Sequence, residues 1–382
     1  MYDTGVMFVM KKYLKGAIAA VLVLTLAFIA VFPAFTVSPF LGDAYASVVT
    51  VSDLQDSGSA AFTRFGNVLS LMKGDGLPTP GSVLVGGDFT KLLFDDAIPG
   101  VTLTRKNLTD VYPDADPDTV VCIQGNHDNP VSGLTKTGFY DMGAYCLYAV
   151  TEDDFPWLQG TRSCAEGDIK ALAEDMTARF NAMIDADDLR PVIIMTHLPL
   201  HHTYRASWAD NKYASYVFNA INNAAETLDM IFLFGHQHSG DYDDYIGGSV
   251  NYMQPGDLIR VPLPDRAGEN CYTEETLNFT YLNCGYLGYS NNHETETSTN
   301  VLTLGAIQFS PDTIRFVKYS QDGFYRSDDV TRKNTATEEQ MQAVIGEYPE
   351  MRNRSAWEIE SGIFTWVYNL FTKILDVIVF WK

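Results

Sequence analysis

Five short apolar runs, each broken off by a cluster of polar residues, constrain this chain more than any other feature. They are Ser47 to Ser52 ahead of Asp53, Ser82 to Val85 ahead of Gly86-Gly87-Asp88, Val120 to Gln124 ahead of Gly125-Asn126-His127-Asp128, Val192 to Thr196 ahead of His197, and Met230 to Phe234 ahead of Gly235-His236-Gln237-His238. Between the later runs lie helical patterns, such as Ile169, Leu172, Met176, Phe180 and Met183 at spacings of 3, 4, 4 and 3. Apolar strands alternating with such helices predict an α/β sheet whose ligands gather beyond the carboxyl ends of the strands, which is where all five clusters lie. After residue 275 the pattern turns to strands alone, Leu277 to Cys284, Val301 to Phe309 and Thr313 to Tyr319, with Asp322-Gly323 as a turn. One mixed two-sheet α/β domain over residues 47–330 is therefore expected.

The clusters share a chemistry. Only 7 histidines occur in the chain, and four of them, His127, His197, His236 and His238, fall in the series that also supplies Asp53, Asp88 and Asn126. Carboxylate oxygens, imidazole nitrogens and an amide oxygen form the mixed donor set that two neighbouring divalent cations need, with one carboxylate able to bridge them. Charge narrows the substrate. With 26 Lys and Arg against 48 Asp and Glu, the net charge of -22 excludes general nucleic-acid binding, while bound cations would let an acidic protein accept a small anion.

Gly87-Asp88, Gly125-Asn126-His127-Asp128, His197 and Gly235-His236-Gln237-His238 closely resemble the motifs of the calcineurin-like metallophosphoesterases, over about residues 48 to 320. The resemblance implies a four-layer α/β/β/α sandwich of two mixed sheets and hydrolysis of a phosphate-ester substrate at two divalent metal ions (Mn, Fe, Zn or Mg). It also implies ligands: Asp53, Asp88 and His238 for one metal, and Asp88, Asn126, His197 and His236 for the other. His127 would face the leaving-group oxygen, with Asp128 orienting it.

The chain departs from the family pattern twice. Gln55 stands where an imidazole usually binds the first metal; an amide oxygen there is a weak ligand that favours Mn or Mg over Zn. Lys91 replaces an acidic or amide residue, and reads as a surface lysine or part of an ion pair. His201 and His202 are candidates for contact with the substrate phosphate, and Asp241 to Tyr245 for a pocket wall. Alternatives to a general phosphoesterase are a phosphodiesterase acting on nucleotides or lipid headgroups, and a catalytically weakened metal-binding surface protein.

The ends of the chain read as membrane-directed. Residues 1–46 join a basic head (Lys11, Lys12, Lys15), an apolar run from Ala17 to Phe35 and a small-residue site at Ala44-Tyr45-Ala46. That is the pattern of a cleaved signal peptide, favoured here over an uncleaved anchor, and it predicts a secreted or cell-surface protein. Residues 331–354 read as a linker with a short helix capped by Thr337 and Gln340. Residues 355–382 are expected to form an amphipathic helix, its polar Thr365, Asn369, Thr372, Lys373 and Asp376 on one arc, suited to a membrane interface or to packing on its own domain. Of five cysteines, Cys122 is expected as a buried thiol, with Cys146–Cys164 and Cys271–Cys284 as candidate pairs.

Overall fold

The strands of this computed structural model, in chain order, are β1 Ala46–Val51, β2 Ser82–Val85, β3 Val120–Cys122, β4 Gly138–Asp141, β5 Cys146–Val150, β6 Val192–Thr196, β7 Met230–Phe234, β8 Tyr252–Met253, β9 Leu258–Pro262, β10 Tyr272–Thr276, β11 Thr280–Asn283, β12 Gly285–Tyr286, β13 Thr303–Phe309, β14 Thr313–Ser320 and β15 Gly323–Thr331. The helices are α1 Ala60–Gly74, α2 Ile98–Val111, α3 Glu166–Asp185, α4 Ala214–Ala224 and α5 Glu338–Gln342. The structure describes residues 38–55, 60–89, 98–128, 134–151, 166–200, 214–236, 238, 251–262, 272–288 and 302–342. The chain divides into two units, Met1–Ser38 and Pro39–Lys382, and the architecture is that of the second.

One sheet runs β15-β14-β13-β1-β2-β3, with β12 paired to β13. Its β1, β2 and β3 are parallel, and β13, β14 and β15 continue it antiparallel. The other runs β4-β5-β6-β7-β11-β8, parallel from β5 to β11 with antiparallel strands at both edges. Strand side chains alternate between faces, so consecutive residues go to different cores. Val48, Leu84, Val121, Ile193, Ile231 and Phe316 meet in a core between the sheets. Val49, Val51 and Val83 turn outward onto Phe65 and Leu69 of α1 and Leu108 of α2. On the other side, Ile194 and Phe232 pack on Met176 and Phe180 of α3 and Phe218 of α4. The result is the expected four-layer sandwich. The spacing read in Ile169 to Met183 is the buried stripe of α3.

The second unit begins at Pro39, and within it Phe40 is buried with its ring stacked on Tyr319, centroids 5.5 Å apart. Contacts continue past β15. Arg332 is buried and pairs with Asp229 at 3.2 Å, and its Nη1 donates to the Tyr45 hydroxyl at 2.8 Å. Removing either member of such a buried pair strands a charge, at a cost of about 3–5 kcal/mol. The Thr337 cap is present: Thr337 N donates to Gln340 Oε1 at 2.8 Å and Gln340 N to Thr337 Oγ1 at 3.2 Å. Cys122, Cys146 and Cys284 are buried free thiols, while Cys164 and Cys271 lie outside the described residues. The amphipathic segment 355–382 also lies outside them, and no helix among the described residues is long and apolar enough to cross a membrane.

Candidate metal centre

The residues that follow β1, β2, β3, β6 and β7 converge at one place, and the backbone is bent to bring them there. Six described non-glycine residues have positive φ, and five of them are Asp53 (52°), Gln55 (37°), Asp88 (56°), His236 (68°) and His238 (49°). That region is costly for residues with a Cβ and is held only where the surroundings enforce it. Close approach dictates two glycines nearby. A Cβ on Gly125 would collide with Asp88 Oδ1, and one on Gly235 with Ser52 Oγ.

Two groups of donors form. Ligand atoms of Asp88, His197 and His236 lie within 4.8 Å of one another, as do those of Asp53, Asp88 and His238, so Asp88 belongs to both. Asn126 Oδ1 completes the first group, 2.9 Å from His197 Nε2 and 3.0 Å from His236 Nδ1, while Asp88 Oδ2 is 3.4 Å from His197 Nε2. Donors about 2.1 Å from a common cation stand roughly 3.0–3.4 Å from each other in octahedral or tetrahedral geometry, so these spacings fit an ion. In the second group His238 Nε2 lies 3.2 Å from Asp53 Oδ1, a buried oxygen that accepts no well-formed hydrogen bond.

Supporting bonds aim the donors. His197 Nδ1 donates to the Gly86 carbonyl at 2.7 Å, which turns Nε2 toward the group. Asp53 Oδ2 accepts the backbone N–H of His236 at 2.7 Å, and Asp88 Oδ1 that of His127 at 2.8 Å. Asp128 does something the resemblance does not assign to it. Its buried carboxylate accepts the backbone N–H groups of Asp88, Phe89 and Gly125 at 2.8 to 2.9 Å, tying the loop after β2 to the loop after β3. Burial and the negative Asp88 nonetheless push the Asp128 carboxyl up to about 7.

Gln55 is at the centre, but its Nε2 donates to Asp88 Oδ2 at 3.0 Å. The amide thus bonds the shared carboxylate, and the position contributes no nitrogen ligand. Substituting Gln55→His should tighten cation binding at the Asp53 group and shift preference toward Zn, since imidazole is the softer donor. Competition between Zn and Mn measures this, and unchanged affinity and selectivity would place residue 55 outside the centre.

Electrostatics sets how a cation enters. Burial alone would push His197 down and Asp88 up, but their mutual attraction prevails. His197 is raised to about 10 and Asp88 is held well below the usual carboxylate range. His236, buried beside that positive ring, is pushed down to about 3 and stays neutral. In the metal-free protein the His197 charge therefore stabilises the fold fully below pH 6.5, and that contribution fades as pH rises through about 10. A cation on Nε2 must displace the proton. Affinity for the first cation should rise about tenfold per pH unit between roughly 7 and 9, with about one proton released. Calorimetry in buffers of differing ionisation enthalpy reads the proton count, and none released would remove His197 from the ligand set.

The sequence reading did not single out Tyr286. Its buried ring stacks on His238, centroids 5.0 Å apart and planes 2° from parallel, and the residue bridges to Ser52. Behind it, buried Lys318 donates to the Asn283 carbonyl at 2.7 Å and Asn283 Oδ1 accepts from Gly285 N at 2.8 Å, so the strand end that carries Tyr286 is pinned. No polar cluster follows β11, where the chain reads Cys284-Gly285-Tyr286-Leu287, so local sequence carried no signal for Tyr286. Lys91, His201, His202 and Asp241 to Tyr245 lie outside the described residues.

Residues 46–240 match the model of the calcineurin-like phosphoesterase family, and the chain belongs to that family, whose chemistry is metal-dependent hydrolysis of phosphoesters. Among solved structures, a dimetal phosphatase from Danio rerio shares 10% identity over 76% of this chain and 100% of its own, with a TM-score of 0.45. GAP50, described as the anchor in the inner membrane complex of Plasmodium, shares 12% over 76% and 90%, with a TM-score of 0.47. Vps29 of Chaetomium thermophilum shares 11% over 76% and 99%, with a TM-score of 0.33. Likenesses of this size do not bear on the reaction. No curated protein matches the chain.

Proposed function

We propose that this protein hydrolyses small phosphate esters outside the cytoplasm, using two divalent cations held by the two donor groups that share Asp88. The sharing of one buried carboxylate by both groups carries the reading, because a single-ion or structural site has no need of it. Two cations so placed supply a water nucleophile active near neutral pH and offset the charge on the phosphate oxygens. The chain's own residues do the rest. Asp88 would set the separation of the two cations, with Asn126, His197 and His236 holding one and Asp53 and His238 the other. His127, one residue after Asn126 and half-buried, donates a proton to the departing oxygen. A net charge of -22 supports a small ester over polymeric nucleic acid. The basic head and apolar run near the amino terminus support export.

Chelation should abolish hydrolysis of nitrophenyl phosphate, and resupply of Mn, Mg, Fe or Zn in turn should restore it. Hydrolysis that survives exhaustive chelation would reject the proposal. The bond from Gln55 to Asp88 favours a second reading, a metal-binding protein with a weakened Asp53 group. Cation binding with no turnover on any mono- or diester would select it.

A further inference from the structure

We infer that the amino-terminal apolar segment is a retained membrane anchor, and that the phosphoesterase domain stays attached to a lipid bilayer through residues 17–35.

Cleavage at the Ala44-Tyr45-Ala46 site would remove residues that the domain is built on. Phe40 is 5% exposed, stacked on Tyr319 in the core beneath α1 and α2. Leu41 N donates to Gln308 Oε1 at 2.8 Å, and Arg315 Nη1 to the Pro39 carbonyl at 3.1 Å. Tyr45 N donates to the Phe309 carbonyl at 2.9 Å, extending the ladder between β1 and β13 past Ala46. Its hydroxyl accepts from Arg332, the buried partner of Asp229. A cut after Ala46 would leave a void under Tyr319, an unpaired Phe309 carbonyl and an Arg332 without its phenol. A cut after Ala44, at Gly42-Asp43-Ala44, would still remove Phe40 and Leu41.

The sequence upstream of Pro39 offers no better site. Between Pro33 and Pro39 the small-residue pairs are Ala34 with Thr36 and Thr36 with Ser38; both include a β-branched residue, and the second stands directly before a proline. The apolar run itself has the wrong length for a leader. Ala17 to Phe35 is 19 residues without a charge, against the roughly 7–15 of a leader's apolar region. As a helix it would measure about 28 Å, close to the ~30 Å hydrocarbon core. Lys11, Lys12 and Lys15 precede it and no Lys or Arg follows before Arg64, which sets the amino terminus in the cytoplasm and the domain outside. The domain begins at Pro39, with only residues 36–38 between it and the apolar run.

The test uses the full chain with its own amino terminus, expressed in a bacterial host with a general secretion pathway. The protein should sediment with membranes, resist alkaline carbonate extraction, and show an amino-terminal sequence that lies before Ala17. A first residue at Ala17 or anywhere later, Tyr45 or Ser47 included, overturns the inference. Deleting residues 355–382 separates the other membrane-directed segment: carbonate-resistant sedimentation should persist, and its loss would assign attachment to the carboxyl end instead. Both readouts are independent of hydrolysis, so a chain without phosphoesterase activity could still pass them.

Discussion

Asp88→Asn should empty both cation positions and lower turnover by about 10³-fold, the several kcal/mol that shared cations contribute to stabilising the transition state. Asp88 is the one residue in both donor groups, and it is buried with His197 Nε2 3.4 Å away. An amide keeps the shape and can still accept the His127 N–H that Asp88 Oδ1 holds, so the fold should survive. What it loses is the negative charge seen by two cations at once. Metal analysis alongside circular dichroism checks this. Two cations per chain in a folded, active Asp88→Asn variant would eliminate the shared-carboxylate assignment.

His127→Gln should slow alkyl phosphate esters by about 10²- to 10⁴-fold while slowing a nitrophenyl ester much less. An alkoxide is a poor leaving group without a proton, whereas nitrophenolate departs unaided. Asn126 and not His127 lies among the ring nitrogens of the donor groups, so cation content should be unchanged. Turnover on the two ester types, with stoichiometry measured beside it, separates a proton donor from a ligand. Equal losses on both esters would falsify the general-acid role.

The five strands that deliver the centre were legible because β1, β2, β3, β6 and β7 are buried, Ala46 at the start of β1 excepted, and so read as largely apolar runs. The polar residues after them could be paired with cations because their side-chain types leave few other uses at a strand end. Contacts between residues far apart in the chain were not legible: Phe40 is fixed by Tyr319 and Tyr45 by Phe309 and Arg332, all more than 260 residues downstream. Tyr286 looks like any strand aromatic until the fold sets it against His238. β15 was missed for a different reason: its GFYRSDDVT sequence is half-exposed and mixed, without the alternation that marks a half-buried strand. Asp128 has a role that motif reading could not supply, since its carboxylate accepts three backbone N–H groups from two loops.

The most direct test is a titration of metal-depleted wild-type protein with a divalent cation, following bound metal and hydrolysis of a phosphate monoester together. The two donor groups that share Asp88 predict two equivalents bound per chain, with hydrolysis appearing as the second position fills. Saturation at one equivalent, or hydrolysis already complete before any cation is added, would contradict it.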